Sequence, residues 1–516
     1  MKRNLAFVTL VTLTLTSCST HQDFSWRGPA SVHKNKLFEI LDEVQVTLSR
    51  DMGARECHDS IEYYWKKLYE LDSKTVALQS MSPEDMDEYI RSSFYIRLGI
   101  KERLKDLERE TSDDKKCLVS IKRAFMALRY VEDYLIEYSY QNEHKSDDHF
   151  VTLTGDGGHF LVNPKYSGFK SWQDLNGGDV LLSRGNAFSS AAIARIGQTD
   201  TQFSHLSLVH KEKDKIFTSE AHIEIGNVVA PIDVHLEQKN ARTVVFRHSD
   251  KKLSELAGKI TFNHVKKAQV AGSNIEYDFG MDYKDESRLF CSEVVYFGYK
   301  HASKKLGMEE VDIPEYKTRF NKGLVPFLRD LGIKVTKESV SSFDTFGPGD
   351  IQFDSRFDIV SEWRNPKKLR DSRFKDAILT KLFLWMEDEN YRFHPTVGTK
   401  LMSRFSTLAR KSDTMVKILK WKYLLNRDIS KEFPKNMTAK QMRLFLVLDE
   451  VGEYFYKELD QKEKANKAPL SLGEMFDFLD SLKEKDYKAW KKYHKKRILG
   501  GFIAPAKPKF HNVFHP

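Results

Sequence analysis

Three residues in the middle of the chain have the types and settings that a cysteine nucleophile needs. Cys291 opens an apolar helical pattern, Phe290-Cys291-Ser292-Glu293-Val294-Val295. His205 starts a strand pattern, Ser204-His205-Leu206-Ser207-Leu208-Val209, and Glu220 ends the next one, Ile216-Phe217-Thr218-Ser219-Glu220. A thiol at a helix N-terminus feels the positive end of the helix dipole, and a nearby imidazolium lowers its pKa further. The thiolate can then attack an acyl carbon, while the imidazole protonates the leaving group and later activates water. A carboxylate beside the imidazole fixes its tautomer and stabilises its cation. The first backbone N–H groups of the helix are natural oxyanion donors.

The two strands form a hairpin. A four-residue loop from Lys211 to Asp214 pairs His210 with Lys215 and sets His205 directly opposite Glu220, with Cβ atoms roughly 5 Å apart. Leu206, Leu208 and Phe217 then share the other face, which suits burial. A metal cluster of His205, His210, His222 and Glu224 is the rival reading. In this register His205 and His210 point to opposite faces of one strand, so a shared ion is set aside. Each residue alone has a commoner role: the cysteine as a small buried hydrophobe, the histidine as a structural group, the glutamate as a solvated strand end.

The elements around these residues change character twice. Residues 34–149 have apolar positions at helical spacing: Leu37, Ile40, Leu41 and Val44, then a helix near Ser60 to Leu71. A helix opened by Ser82-Pro83 follows, and another capped by Ser112. Residues 150–366 are mixed. Phe150 to Thr154 alternates, and Gly155-Asp156-Gly157-Gly158 reads as a hairpin turn before His159 to Val162. No Lys-Ser/Thr ending or helix follows that turn, so it is no phosphate cradle. Val180 to Leu182 is a short buried strand, Ser189 to Ile196 a small helix, and Ser254 to Ala271 a longer one. The Cys291 helix ends at Gly307, and Leu331 to Val335 reads as one more strand. Residues 367–516 are helical again, with capping boxes at Thr438-Ala439-Lys440-Gln441 and Ser471-Leu472-Gly473-Glu474. The end is basic and aromatic, from Trp490 to Arg497, and reads as a solvated helix face in preference to a membrane-surface patch. His511 and His515 read as part of a Pro-rich tail.

At 516 residues, 40% of them hydrophobic and 12% aromatic, the chain suits several folded domains and not a disordered polymer. Its formal charge is +9, and roughly +7 without Lys2 and Arg3. That mild excess favours anionic surfaces and does not imply nucleic acid. Lys2, Arg3 and the short apolar run from Leu5 to Leu15 read as an export signal too short to span a bilayer. Leu15-Thr16-Ser17-Cys18 resembles the lipobox of bacterial lipoproteins. That resemblance implies cleavage before Cys18, lipidation of its thiol, and, with Ser19 following, the periplasmic face of the outer membrane. Residues 19–33 then form a tether. Of the four cysteines, Cys57 and Cys117 fall in the first helical region; export permits a disulfide between them, and two separate thiols remain the alternative. Cys291 is the thiol left over.

Gly178-Asp179-Val180-Leu181-Leu182, Phe203 to Val209, Ser219-Glu220-Ala221, Tyr277-Asp278-Phe279 and Phe290 to Val295 resemble, in that order, the circularly permuted NlpC/P60 (YiiX-like) papain-fold hydrolases. The histidine comes first, then the acid, then the cysteine. The resemblance covers roughly 170–366. It implies an α+β fold with an antiparallel sheet and a nucleophile helix, flanked here by helical regions. It implies Cys291 as nucleophile, His205 as base and Glu220 as orienting acid, with Tyr277 and Asp278 near the substrate and no cofactor or metal. The expected function is hydrolysis of amide bonds in cell-wall peptides by a lipid-anchored enzyme. The alternatives are a lipid acyl hydrolase or acyltransferase, or a non-catalytic scaffold on the same fold.

Overall fold

Apolar residues at helical spacing build the first layer. Leu37, Ile40, Leu41 and Val44 are buried along α1 (Lys36–Leu48), and α2 (Ala54–Tyr69), α3 (Pro83–Glu102) and α4 (Ser112–Gln141) pack with it. Ser82 and Asp85 close a capping box at the start of α3, with Pro83 in the first turn. The cap of α4 is Thr111, one residue earlier than Ser112, because its hydroxyl is the one that reaches the Asp114 N–H, at 3.0 Å. Cys57 on α2 and Cys117 on α4 are joined in a disulfide.

The structure is a computed structural model. It describes residues 35–50, 53–72, 74–107, 111–142, 159–236, 240–409, 434–466, 468–498 and 507–516. The leader, Cys18, the tether and the expected Phe150–Gly158 hairpin lie outside the described residues.

The middle of the chain supplies β1 (His159–Val162), β2 (Val180–Gly185), α5 (Phe188–Ile193), β3 (His205–Glu212), β4 (Lys215–His222), β5 (Gly226–Pro231), α6 (Ile232–Leu236), β6 (Asn240–His248), α7 (Lys251–Val270), α8 (Cys291–Lys305), α9 (Val325–Leu331) and β7 (Phe357–Arg364). The strands form one seven-stranded antiparallel sheet in the order β1-β7-β6-β2-β3-β4-β5. The class is therefore α+β. Alternate residues decide the two faces. Leu206 and Leu208 share a core with Val294 and Val295 of α8, whereas Leu181, Val209, Val245 and Val360 meet Phe169 and Leu175 on the other side. The expected strand at Leu331–Val335 does not form. Gly332, at φ 109°, ends α9 in the left-handed region, and Ile333 and Val335 go into a helical core instead of pairing with a strand.

The helical layer and the sheet are not separate bodies. One apolar core runs from α1 through β7. Buried charges cross the same boundary. Arg97 of α3 pairs with Glu132 of α4 at 2.7 Å and with Glu362 of β7 at 2.6 Å, and Arg129 reaches Glu362 at 2.8 Å. Arg364 holds Asp133 at 2.7 Å and also contacts Glu132. Apart from Asp133, these guanidinium and carboxylate groups are cut off from solvent, so each depends on its partners.

The last region consists of α10 (Pro366–Asp388), β8 (Arg392–Phe393), α11 (Val397–Ala409), α12 (Ala439–Lys464), α13 (Leu472–Ile498) and β9 (Phe514–His515). The capping boxes expected at Thr438 and Ser471 open α12 and α13. The chain terminus is not a loose tail. His511 is fully buried, with Nδ1 2.9 Å from Asp486 and Nε2 3.0 Å from the Tyr391 hydroxyl, and β9 pairs with β8. Phe510, Val513 and Phe514 enter the core beside it. Among the described residues no helix is long and apolar enough to cross a membrane.

Candidate functional site

The β3–β4 hairpin has a two-residue turn. Glu212 pairs with Lys215, and Lys213 takes a positive φ of 54° between them. The expected four-residue loop is therefore corrected, and Ser207, not His205, lies opposite Glu220. The error is a slip of two residues, which preserves the face on which each side chain points. His205 consequently still meets Glu220, diagonally, with Nε2 3.0 Å from Oε2.

Glu220 is the hub of this face. Its Oε2 also lies 3.2 Å from His222 Nε2, and its Oε1 accepts from the Thr218 hydroxyl at 2.5 Å and lies 3.0 Å from His235 Nδ1. The carboxylate is fully buried. Burial pushes its pKa up, but the imidazoles, His235 foremost, outweigh that and hold it well below the usual carboxylate range. Glu220 is thus an ionised acceptor and not the solvated strand end of its commoner role. The His205 and His222 rings stack with centroids 5.1 Å apart. His205 and His222 keep 16% and 24% side-chain exposure against 0% for Glu220, so the site opens to solvent on the imidazole side.

Cys291 comes to this face from the other direction. It is the first residue of α8, and its Sγ lies 3.8 Å from the Ser204 carbonyl oxygen and 4.0 Å from Ser292 Oγ. The thiol is near enough to the His205 imidazole and the Tyr277 hydroxyl to help raise the pKa of each. With Nε2 committed to Glu220, the other ring nitrogen of His205 is the one left for sulfur. Burial pulls the His205 pKa down, but the hydrogen bonds to Cys291 and Glu220 prevail and raise it. A raised pKa makes the imidazole the stronger base for a proton beside it. Of the first N–H groups of α8, that of Glu293 donates to the Phe290 carbonyl at 3.0 Å, which leaves those of Cys291 and Ser292 beside the sulfur.

The chain holds α8 in place by close approach. Gly298 lies so near β3 and α7 that an added Cβ would meet Leu208 Cδ2 at 2.8 Å and the Ala257 carbonyl oxygen at 2.9 Å. The loop before Cys291 is fixed by buried Asn227, whose Nδ2 donates to the Leu289 carbonyl at 3.1 Å. Glu293 Oε2 accepts from the Phe290 N–H at 3.2 Å, and burial pushes its carboxyl up to about 9. At neutral pH it is protonated, so no negative charge sits in the first turn of α8.

The sequence-derived residues do not all converge. Tyr277 reaches Cys291, with burial first and the thiol second in raising its pKa. Asp278 does not reach it; its carboxylate accepts from the N–H groups of Gly280 at 2.8 Å and Asp282 at 2.6 Å and shapes the loop. His210 faces away, with its ring 4.4 Å from that of Phe262, and Glu224 is exposed. His222 and His235 were not expected beside Glu220. His222 was legible in principle, since it follows Glu220 by two residues and so shares its face. His235 arrives on the short α6 and carries no sequence signal.

His205, Glu220 and His222 also offer three ligand atoms within 4.8 Å of one another, a donor set that could hold a metal ion. The divergence of His205 and His210 keeps His210 out of this trio, but not His222.

Comparison with known proteins gives little. No family model matches the chain, and no curated protein does. A solved structure described as the metalloprotein yiiX from Escherichia coli O157:H7 is weakly similar. It has 20% identity and a TM-score of 0.26, covering 37% of this chain and 97% of that one.

Proposed function

We propose that the chain is a cysteine hydrolase of permuted papain-like architecture. Cys291 is the nucleophile, His205 the acid–base group and Glu220 the residue that orients it. The observation that supports this most is the His205–Glu220 pair, with Nε2 3.0 Å from Oε2, near a Cys291 thiol that stands at a helix N-terminus. The Cys291 sulfur attacks an acyl carbon, and the first N–H groups of α8 receive the oxyanion. The imidazolium gives its proton to the leaving amine; the imidazole then takes one from water, which releases the acid and the free thiol. Tyr277 is the substrate-side neighbour. A groove of about 680 Å³ runs along the loop that follows it, lined by Asp278, Phe279, Asp282, Arg288 and Asn436. The reading assigns amide bonds of cell-wall peptides as substrate and an outer-membrane lipoprotein anchored at Cys18 as setting. Lipid acyl transfer is the alternative chemistry.

The test is labelling by a thiol-directed electrophile, followed by product analysis. Cys291 is the free thiol among the described residues. It should label quickly at neutral pH and slowly in His205→Ala, and peptidoglycan fragments or phospholipids should then be cleaved in a Cys291-dependent way. A label rate equal to that of an unstructured thiol, unchanged by His205→Ala, overturns the reading.

A second reading rests on the His205–Glu220–His222 trio. A divalent ion there would make the site a metal centre, with Cys291 as a neighbour. Calorimetric titration with Zn²⁺ decides: stoichiometric binding lost in His222→Ala supports it, and absence of binding removes it.

A further inference from the structure

The C-terminal region carries a surface that the chemistry at Cys291 does not use. Helix α11 packs on α12 through its small face: Ser403, Ser406 and Ala409 are buried, and Met402 and Ala409 meet Met437 and Met442. The opposite face holds Val397, Leu401 and Leu408, which are 72%, 61% and 67% exposed. Spacings of four and seven residues put all three within one narrow stripe of the helix. Lys400 and Arg404 are exposed along one edge of that stripe, and α11 contains no acidic residue.

A second basic feature is tied to the start of α11. The β8–β9 clasp stacks His394, three residues before α11, on His515 with centroids 3.8 Å apart, and His515 lies 5.0 Å from Trp490 of α13. Trp490 sits among Lys488, Lys491, Lys492 and Lys495, all exposed, and no acidic residue follows Asp486 in α13. The sequence alone makes those lysines a solvated helix face. The clasp ties the start of α11, whose apolar stripe is itself edged with cations, to the end of α13 that carries them.

We propose that α11, together with the lysine-rich end of α13, is a docking surface for an anionic lipid bilayer. Val397, Leu401 and Leu408 enter the headgroup–acyl boundary, Lys400 and Arg404 reach out to phosphates along the edge, and the α13 lysines supply long-range attraction. An apolar stripe flanked by Lys and Arg without acids is the pattern of a helix lying in the plane of a membrane surface. Charge selects this occupant, since a cationic rim without acids repels a second copy of itself. The proposal does not depend on the chemistry assigned to Cys291, nor on lipidation at Cys18.

The test uses the full chain with Cys18→Ser, so that no acyl group is carried there, and vesicles of phosphatidylcholine with or without phosphatidylglycerol. Binding to the anionic vesicles is expected to fall about tenfold or more in Leu401→Ser/Leu408→Ser and to weaken with added salt. Lys491→Glu/Lys492→Glu should lower it on anionic vesicles alone. Variants that bind like the parent overturn the proposal. A second readout guards against misfolding: a polarity-sensitive dye on Leu401→Cys, in a Cys18→Ser/Cys291→Ser background. Its emission should be that of an aqueous probe in buffer and shift to the blue on anionic vesicles. A blue emission before lipid is added means that protein, from this chain or a second copy, already covers the stripe, and the proposal fails.

Discussion

His205 Nε2 lies 3.0 Å from Glu220 Oε2 although Ser207, not His205, is opposite Glu220 in the sheet. The contact is a diagonal one on a single face of the hairpin, and it leaves the carboxylate room for His222 on the same oxygen and His235 on the other. The position of Cys291 at the head of α8 makes this diagonal the axis of the site.

Removing the axis should slow Cys291 before it unfolds the protein. In His205→Ala the thiol loses its proton acceptor, and the alkylation rate at pH 7 should fall about 100-fold, the scale of a single acid–base group. Glu220→Gln keeps an acceptor for the ring but no longer stabilises its cation, so a smaller loss of about tenfold is expected. Stopped-time labelling read by intact mass measures both.

The pH dependence of stability follows from the two opposed shifts. Glu220 is depressed below 4.5, so its contribution is present above that value and is lost as pH falls through the folded pKa. His205 is raised above 6.5, so its contribution is present below 6.5 and is lost as pH rises through the folded pKa. The stability difference between parent and Glu220→Gln should therefore be largest between 4.5 and 6.5 and decline on both sides. Urea midpoints across pH 3 to 9 show this as a maximum; a flat difference contradicts it.

Glu293 gives the reverse sign for a carboxyl. Its folded pKa of about 9 lies above 4.5, so the protein loses stability as pH rises between those values. Glu293→Gln retains the acceptor for the Phe290 N–H without the ionisable proton. The variant should gain on the parent as pH rises from 5 to 9, by at most about 1.4 kcal/mol per pH unit. Thermal melts at matched ionic strength test it.

Much of the site was legible because strand parity is robust. The hairpin turn Lys213-Asp214 lacks the Asn-Gly or Asp-Gly signature that would have fixed the loop at two residues. The register therefore differs by two from the one that the sequence predicts, yet a slip of two moves no side chain to the other face. The helix ends were legible where a hydroxyl and an acid or amide stand three apart, as at Ser82, Thr438 and Ser471. What was not legible is what long-range closure creates. Arg97 and Glu362 are 265 residues apart and have no local signal of pairing. His235 has no local signal and His511 reads as a tail residue, yet the fold buries both.

The buried charges between α3, α4 and β7 carry a stability prediction. Glu362 accepts from Arg97 and Arg129 with no solvent access to either side. Glu362→Ala leaves Arg129 without a carboxylate partner, takes one from Arg97 and Arg364, and should cost about 3–5 kcal/mol, against less than about 1 kcal/mol for the exposed Lys36–Glu39 pair. Denaturant titration of Glu362→Ala beside Glu39→Ala makes the comparison within one protein.

Gly298 links packing to chemistry. It lies two turns after Cys291 on α8, and a Cβ there would press on Leu208 of β3 and on the backbone of α7. Gly298→Ala must push α8 off the sheet, at a cost of about 1–3 kcal/mol for overpacking. The same movement carries Cys291 away from His205, because the histidine stays on β3. The alkylation rate should therefore fall in Gly298→Ala under conditions where the variant is still folded. Gly307 is the control: it has a positive φ of 69° but nothing within 4 Å of an added Cβ. Gly307→Ala should strain the end of α8 and lower the melting temperature while leaving the thiol as reactive as in the parent. A loss of reactivity in both variants would mean that Cys291 responds to helix stability in general and not to the contact of α8 with β3.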